Sequence, residues 1–366
     1  MRNQLIDNIR GLCLLGVVAI HIGSLALAPN NFILYAILEV LSRYSVPSFF
    51  FVSGYGLFCG LKKYTNYTSF LKKRLLSAGL PYLSWSLFYL LYFWCILPPG
   101  YIKWDPLHLG FVLFFGLACY HLYFMVILIW FYFCFPLWRW LLAKMEQLGL
   151  VLGLGLLFIF QLAFNYWTTH PGVNISQWPL VAQNLFNYRL NYLPLHYIFI
   201  FMLGAVAAVR PQQWQDFLQK HFVAICSFFI ASTGYILGSA YYAHYYTGYS
   251  LLDLANTYHQ LSPQGLFYTL GSILFFCAAL PRLKVDGLLN KTIVLLSSYS
   301  MLIYFIHPLL LEWMTSLYYK FGIVMTVKKV SLSYLLLLGG SLLFSMGLIY
   351  IFKRYGWLRM LFTGRK

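Results

Sequence analysis

Long apolar runs with few charges constrain this chain more than any other feature of its sequence. Each run is about 18–25 residues long, the length that a helix needs to cross the ~30 Å hydrocarbon core of a bilayer. The composition agrees, because 61% of the residues are hydrophobic and 9% are charged, whereas about a quarter of the residues are charged in soluble domains. The sequence therefore predicts an all-α, polytopic membrane helical bundle with no large soluble domain between its spans.

We predict about ten transmembrane helices in a single domain spanning residues 1–366, with no appended soluble domain. The run from Leu109 to Leu137 is long for one crossing. We expect its first part to lie along the interface or to dip in and out, and we count it once. The predicted spans are 9–29, 33–57, 75–96, 112–137, 148–167, 193–209, 221–242, 264–281, 292–316 and 331–352.

The basic residues predict the orientation. With both termini in the cytoplasm, 18 of the 25 lysines and arginines fall in cytoplasmic loops and 5 on the external side. This bias follows the positive-inside rule and requires an even number of spans. Because the charges are scattered over short loops, the net charge of +17 reflects topology, and we predict no nucleic-acid binding. The seven cysteines contain no Cys-x-x-Cys pair, so we predict no disulfide framework and no metal site.

The beginning of the chain imitates a cleavable signal peptide. Arg2 is followed by an apolar run and by Ala-Leu-Ala at 26–28, which resembles a small-residue cleavage site. Signal peptides seldom contain a histidine within the apolar run or an acidic and a basic residue, here Asp7 and Arg10, just before it. These residues favour a first span that is retained.

Arg10 and His21 are ionisable residues within the first predicted span. On a helix, eleven residues turn through about 1100°, three turns plus about 20°, and rise about 16 Å, so the two side chains share a face. Asp7 lies one turn before Arg10 and is expected to pair with it. Taken singly, Arg10 is a snorkelling charge and His21 a packing residue; taken together, they indicate a polar path into the membrane. Imidazole suits general-base activation of a hydroxyl, and arginine suits a phosphate or carboxylate.

Glu39 and Arg43 lie one turn apart in the second span. This spacing predicts an ion pair, which serves either to hold helices together or to let Glu39 orient His21. Ser53 and Gly54 lie near the end of the same span, where small residues permit close helix packing.

A basic cluster follows the second span and comprises Lys62, Lys63, Lys72, Lys73 and Arg74. Positive-inside topology explains it. The functional alternative is a clamp for the phosphates of coenzyme A, which lysine and arginine hold at the membrane surface. Both interpretations can hold at once.

Two further regions are candidates for substrate contact. His307 and Glu312 form a second polar group in the ninth span, which we expect to be structural or substrate-facing. The external segments 97–110, 168–192 and 243–264 are rich in aromatic, amide and histidine side chains. Interface belts explain this composition, and a sugar-binding vestibule is the alternative.

Five segments of the chain resemble blocks of one membrane-protein family. They are NIRGLCLLGVVAIH at 8–21, RYSVPSFFFVSGY at 43–55, FLKKRLLSAGLPY at 70–82, HLYFMVILI at 121–129 and SYSMLIYFIHP at 298–308. In order and content they are similar to the acyltransferase-3 family of multi-span acyltransferases that modify surface glycans, with Tyr123 where tryptophan is common. The late region is similar to members that modify intercellular-adhesin polysaccharide or acetylate enterobacterial common antigen.

The resemblance implies an O-acyltransferase of the bacterial cell membrane that moves an acetyl or other short acyl group from cytosolic acyl-CoA to a surface or lipid-linked glycan. Acetyl-CoA is then a co-substrate, no cofactor is tightly bound, and the lipid bilayer surrounds the enzyme. The expected roles are catalysis for His21, Arg10 and Glu39; acyl-CoA binding for Arg10, Arg43, Ser53, Lys72, Lys73 and Arg74; and substrate binding for His121, Tyr123, Tyr304 and His307.

Two other functions compete with acyl transfer. In a transporter or export component, the polar face of the first helix would be a translocation path, but no pair of Gly/Pro-interrupted spans marks the matching halves of an inverted repeat. A structural or sensory membrane protein is the third alternative. Of the three alternatives, only the acyltransferase consumes the thioester of acyl-CoA, so turnover of acyl-CoA by the purified protein distinguishes them.

Overall fold

The computed structural model describes residues 4–60, 66–170, 172–282 and 287–365. Lys62 and Lys63 of the predicted basic cluster, and Arg2 of the signal-like start, lie outside these ranges. Helices make up 83% of the structure, and no strand occurs among the described residues. The predicted all-α class is confirmed.

Nineteen α-helices are present in the described residues, joined by short 3-10 turns at Val40–Ser42, Pro194–Tyr197 and Leu280–Arg282 and by one π-helical turn at Leu75–Gly79. The helices are α1 Gln4–Ala26, α2 Phe32–Leu38, α3 Ser45–Cys59, α4 Tyr67–Arg74, α5 Leu80–Ile96, α6 Pro106–Phe115, α7 Tyr123–Phe133, α8 Phe135–Leu148, α9 Leu150–Thr169, α10 Leu180–Asn187, α11 Arg189–Tyr192, α12 Ile198–Val209, α13 Pro211–Lys220, α14 Phe222–Tyr246, α15 Leu251–Thr257, α16 Pro263–Ala279, α17 Leu288–Lys320, α18 Val327–Arg354 and α19 Gly356–Thr363.

The helices account for the predicted number of spans. Eight continuous helical segments among the described residues are long and apolar enough to cross a membrane, and two bent pairs raise the number to ten if each pair is one span. The bent pairs are α7 with α8, at 66°, and the segment Pro194–Val209 with α13, at 105°. The protein is thus a multi-pass membrane protein, and the cytoplasmic location of both termini stays a prediction.

The long run from Leu109 to Leu137 is divided among three helices, α6, α7 and α8. Asp105 caps the start of α6 by accepting a hydrogen bond from the His108 amide at 2.9 Å. Gly116 ends α6 in the left-handed region, with φ of 70°, where a side chain is disfavoured. At ten residues, α6 extends over about 15 Å, half of the hydrocarbon core. The predicted span 112–137 is thus divided among three helices, and the location of its first part along the interface stays a prediction.

The first compact unit comprises Met1–Cys59 and Ile200–Gly347. Its α1 packs most extensively against α17 and also lies along α3. Leu14, Val18 and Ile22 of α1 form a buried cluster with residues of α17 and α18. A Cβ added at Gly11 would collide with the Ile293 carbonyl of α17, so the glycine is what permits this close approach.

The second compact unit comprises Gly60–Phe199 and Leu348–Lys366. Here α19 packs against α5, and the indole of Trp85 donates a hydrogen bond to the Phe362 carbonyl at 3.2 Å. In the second half of α9, the Gln161 side chain accepts a hydrogen bond from the Phe199 amide at 2.8 Å. Such bonds satisfy backbone groups that a bilayer would leave unpaired.

Candidate functional site

His21 and His307 come together in the first unit. Their ring centroids are 5.0 Å apart with an interplanar angle of 33°, a distance at which aromatic rings touch. His307 is fully buried, whereas His21 is half-buried. The two residues are 286 positions apart in the sequence, and it is the packing of α1 against α17 that joins them.

The hydrogen bond of His307 determines which of its nitrogens carries the proton. Its Nδ1 lies 2.9 Å from the Ile303 carbonyl one turn earlier in α17. A carbonyl only accepts, so Nδ1 is the donor, and in the neutral ring the lone pair is on Nε2. Tyr304, also buried, has its ring 6.4 Å from that of His307. His307 thus presents an accepting nitrogen from a ring held in place.

Arg10 lies on the same continuous helix as His21, so the predicted spacing of about 16 Å along one face is retained. Its guanidinium Nη1 is 3.5 Å from the Asp7 carboxylate, which confirms the predicted pair. The Arg10 side chain is 33% exposed, against 8% for Asp7. The cation is therefore partly accessible, while its anion is buried.

A second polar contact joins α1 to α17, nearer the start of both helices than the two histidines. The Asn8 amide donates a hydrogen bond to the Asn290 side-chain oxygen at 2.8 Å, and both residues are buried. Sequence reasoning missed this contact, because a single asparagine near the start of each helix does not indicate which residue it contacts.

Glu39 and Arg43 form the predicted ion pair, with Arg43 Nη2 3.0 Å from Glu39 Oε2 and both side chains about nine-tenths buried. Arg43 Nη2 also donates to the Ala255 carbonyl of α15 at 3.2 Å. Glu39 packs on the α1 backbone at Gly23, where an added Cβ would overlap its carboxylate. The pair therefore fixes the turn between α2 and α3 against α1, two residues beyond His21.

Two tyrosines also hold α1 by its carbonyl groups, and sequence reasoning missed both. The Tyr44 hydroxyl donates to the Leu12 carbonyl at 3.0 Å, and the Tyr334 hydroxyl donates to the Leu15 carbonyl at 3.2 Å. These carbonyls lie between Arg10 and His21. The helix that carries both candidate residues is thus fixed from two sides.

Ser53 and Gly54 lie where α3 crosses α12. A Cβ at Gly54 would meet the Phe201 carbonyl, and a Cβ at Gly204 would meet the Phe51 carbonyl. The predicted close packing at Gly54 is confirmed. The Ser53 hydroxyl donates to the Phe49 carbonyl within its own helix at 2.8 Å, and its role in donor binding stays a prediction.

Glu312 does not share the buried environment of His307. Five residues further along α17, it lies about 140° around the helix and is exposed. The expected polar group of His307 and Glu312 is therefore wrong as a single cluster, and His307 instead joins His21.

The remaining basic candidates lie in the second unit. Lys72 and Lys73 are exposed at the end of α4, whereas Arg74 is half-buried. The Arg74 guanidinium carbon lies 5.6 Å from the Phe70 ring centroid and 5.9 Å from that of Tyr132, within cation–π range. Arg74 therefore packs α4 on α7, while the two lysine side chains are exposed at the surface.

His121 lies in the turn two residues before α7, and Tyr123 is the first residue of α7. His121 is buried, and its ring centroid lies 5.6 Å from that of Tyr89 and 5.7 Å from that of Tyr120. Tyr123 is half-buried, and a Cβ on Gly116 would collide with its backbone. Both belong to the second unit, and their role in substrate binding stays a prediction.

An aromatic pocket of about 380 Å³ lies in the second unit, between the predicted external segment 168–192 and the residues that flank it at the end of α9 and before α12. Arg189 anchors it, donating to the carbonyls of Thr168 and Phe186 with its guanidinium 4.3 Å from the Phe186 ring centroid. Burial lowers the pKa of Arg189, but arginine remains charged at neutral pH. Trp167 and Trp178 also line the pocket and are partly exposed. Flat aromatic faces beside a fixed donor suit a sugar ring.

No cluster of three or more histidine, cysteine or acidic side chains that could hold a metal occurs among the described residues. Of the predicted site residues, the structure brings together His307 with His21 and with Tyr304, and Glu39 with Arg43. Arg10 lies on the same face of α1 as His21, three turns nearer the start of the helix.

The family comparison covers almost the whole chain. The family model described as an acyltransferase domain, that of the acyltransferase-3 family, matches residues 3–352. No curated protein and no solved structure matches. A match of this extent, on a multi-pass helical protein whose first helix carries Arg10 and His21, shows that the chain belongs to the acyltransferase-3 family of membrane acyltransferases.

Proposed function

We propose that this protein is an O-acyltransferase of the bacterial cell membrane, which moves an acetyl or other short acyl group from cytosolic acyl-CoA to a hydroxyl of a surface or lipid-linked glycan. Acyl transfer follows from the family; the donor, the acceptor and the roles of residues are the proposal. The contact of His21 with His307 is the observation that carries it.

His21 is the general base in this proposal. Its imidazole takes the proton of the acceptor hydroxyl as the hydroxyl oxygen forms a bond with the acyl carbonyl carbon. The carbon–sulfur bond of the thioester then breaks, and the proton passes from His21 to the departing CoA thiolate. No acyl-enzyme is required, and free CoA and an acylated glycan are the products.

The residues around His21 have supporting roles. His307 acts as a positioning residue, because its ring is held by the Ile303 carbonyl and lies against His21. Glu39 and Arg43 hold α1 at Gly23, which orients the end of the helix that carries the base. Arg10, partly exposed on the same face, attracts the anionic donor, and a bidentate hold on a phosphate suits its guanidinium.

The aromatic pocket around Trp167 and Arg189 supports a glycan acceptor. Tryptophan rings offer wide apolar faces with one N–H donor, and the guanidinium offers further donors toward hydroxyl groups. This chemistry matches a sugar better than an apolar metabolite.

The test is acyl transfer by purified protein in proteoliposomes, with radiolabelled acetyl-CoA and cell-envelope glycan as substrates. Wild-type protein should release CoA and label the glycan, and His21→Ala should lose about 10²–10⁴-fold in rate. Thermal unfolding of the variant checks that it is folded. If the protein moves glycan across the membrane without consuming thioester, it is an export component and the acyltransferase proposal is wrong.

A further inference from the structure

We propose that the cavity beside the start of α1 in the first unit binds the acyl-CoA donor, with its apolar walls around the pantetheine arm and Arg282 on a phosphate. This inference rests on the proposed function, since it locates that function's donor. None of the predicted acyl-CoA-binding residues lines this cavity.

The cavity has a volume of about 600 Å³, within the range of small-molecule and cofactor sites. Five helices and the turn after α16 enclose it. The residues that line it are Leu5, Ile6, Phe51, Tyr55, Ala207, Pro211, Trp214, Gln215, Leu218, Gln219, Cys277, Ala278, Pro281 and Arg282.

Charge favours an anionic occupant. Among the described residues that line the cavity, Arg282 has the one charged side chain. Its guanidinium lies 3.9 Å from the Phe222 ring centroid and donates to the Ala278 carbonyl, so the ring and the helix end hold it at the exposed rim. A neutral lipid tail needs no such cation, whereas each phosphate of CoA does.

The polar groups of the walls fit the middle of the donor. Gln215 and Gln219 lie one turn apart on α13, and their amides both donate and accept hydrogen bonds. The pantetheine arm carries two amide groups on an otherwise apolar chain. Two wall amides among aliphatic and aromatic side chains match that pattern better than they match a sugar, which presents a hydroxyl on most carbons.

The cavity touches the first turn of the helix that carries the proposed base. Ile6, in the cavity wall, lies about 40° around α1 from Arg10 and about 6 Å below it. From Ile6 to His21 the helix turns about 60° beyond four full turns and rises about 22 Å. On this broad face of α1, Arg10 therefore lies between the cavity and His21.

The helix α13 provides matched variants, because only one of its faces lines the cavity. Gln215 faces the cavity, whereas Gln213, on the same helix and also exposed, does not. Gln215→Trp fills the space, and Gln213→Trp is the control for an added indole on this helix. For the cation, Arg282→Gln is paired with Lys220→Gln, which removes a neighbouring charge outside the cavity.

The experiment is calorimetric titration of CoA, without an acyl group, into the purified full-length protein in detergent. Gln215→Trp should weaken binding about tenfold or more, equivalent to ~1.4 kcal/mol, and Gln213→Trp should bind as wild type does. Arg282→Gln should weaken binding and flatten its dependence on salt, whereas Lys220→Gln should not. His21→Ala should still bind CoA, since it lacks only the base.

The possible outcomes distinguish failure of the proposed donor cavity from failure of the proposed acyltransferase function. If wild-type protein binds CoA and both tryptophan variants bind it equally well, the cavity is not the donor site and the acyltransferase proposal stands. If wild-type protein binds no CoA, both proposals fail. If Gln215→Trp instead loses a co-purified phospholipid, seen by mass spectrometry, while its CoA affinity is unchanged, the cavity is a lipid site.

Discussion

Asn8 and Asn290 link α1 to α17 by a buried side-chain hydrogen bond of 2.8 Å. The bond lies on the helix pair that carries His21 and His307, more than three turns nearer the start of both helices. It therefore fixes the register in which the two imidazoles meet.

We expect Asn8→Ala to lower the free energy of unfolding by about 0.6–1.7 kcal/mol, the range of interhelical hydrogen bonds in membranes. Thermal unfolding in detergent measures the change. In a double-mutant cycle with Asn290→Ala, the two effects should be less than additive. Full additivity would mean that the bond does not couple the helices.

Replacing His307 should reduce turnover without weakening donor binding. We expect His307→Ala to lower kcat by about 10²-fold, because a base displaced by about 1 Å loses this much. His307→Phe keeps a ring against His21 but has no accepting nitrogen, and it should be impaired as well. If the phenylalanine variant works at the wild-type rate, His307 is only packing.

Arginine and lysine should not be interchangeable at position 10. If Arg10 only marked the boundary of the membrane, lysine would replace it, since both side chains snorkel. A single ammonium cannot reproduce the planar fork of arginine, so we expect Arg10→Lys to lose acyl transfer at matched expression. Near-normal activity in this variant would remove the specific role of Arg10.

The exposed lysines of α4 test the phosphate clamp. Lys72→Gln with Lys73→Gln should raise the KM for acyl-CoA more than it lowers kcat, because binding common to ground and transition states behaves in this way. Arg74→Gln is assayed separately, since it also removes the cation–π contacts to Phe70 and Tyr132. Unchanged donor saturation in the double variant would leave the lysines a topological role alone.

The aromatic pocket of the second unit predicts an effect on the acceptor. Trp167→Ala should raise the KM for the glycan and leave that for acyl-CoA unchanged, because one stacking face for the sugar is lost. Trp94→Ala is a matched control, as this tryptophan is also 55% exposed but lies outside the pocket. An equal effect of both substitutions would indicate a loss of membrane anchoring.

Local spacing predicted much of the helical structure and its nearest pairs. Apolar length located the spans, and separations of three and four residues predicted the pairs of Asp7 with Arg10 and of Glu39 with Arg43. These contacts lie within one helix or one turn, where geometry follows from the sequence.

Contacts between distant helices were beyond this reasoning. The meeting of His21 with His307 depends on how α1 packs on α17, which periodicity on either helix does not reveal. The 105° bend before α13 was also missed, although Pro211 at its first turn is a signal for a new helix. Because α13 is polar, it was not predicted as part of a span. The cavity that one face of α13 lines was therefore not predicted either.

The crossing of α3 and α12 at Gly54 and Gly204 has a consequence for motion. Each glycine faces a carbonyl of the opposite helix, so the two backbones touch at one place and neither can slide without a collision. Such a contact opposes sliding of α3 along α12 more strongly than it opposes a change in their crossing angle. Any rearrangement of the first unit during turnover would then be a rocking of helix ends, with the smallest displacement at the glycines and the largest at the membrane surfaces.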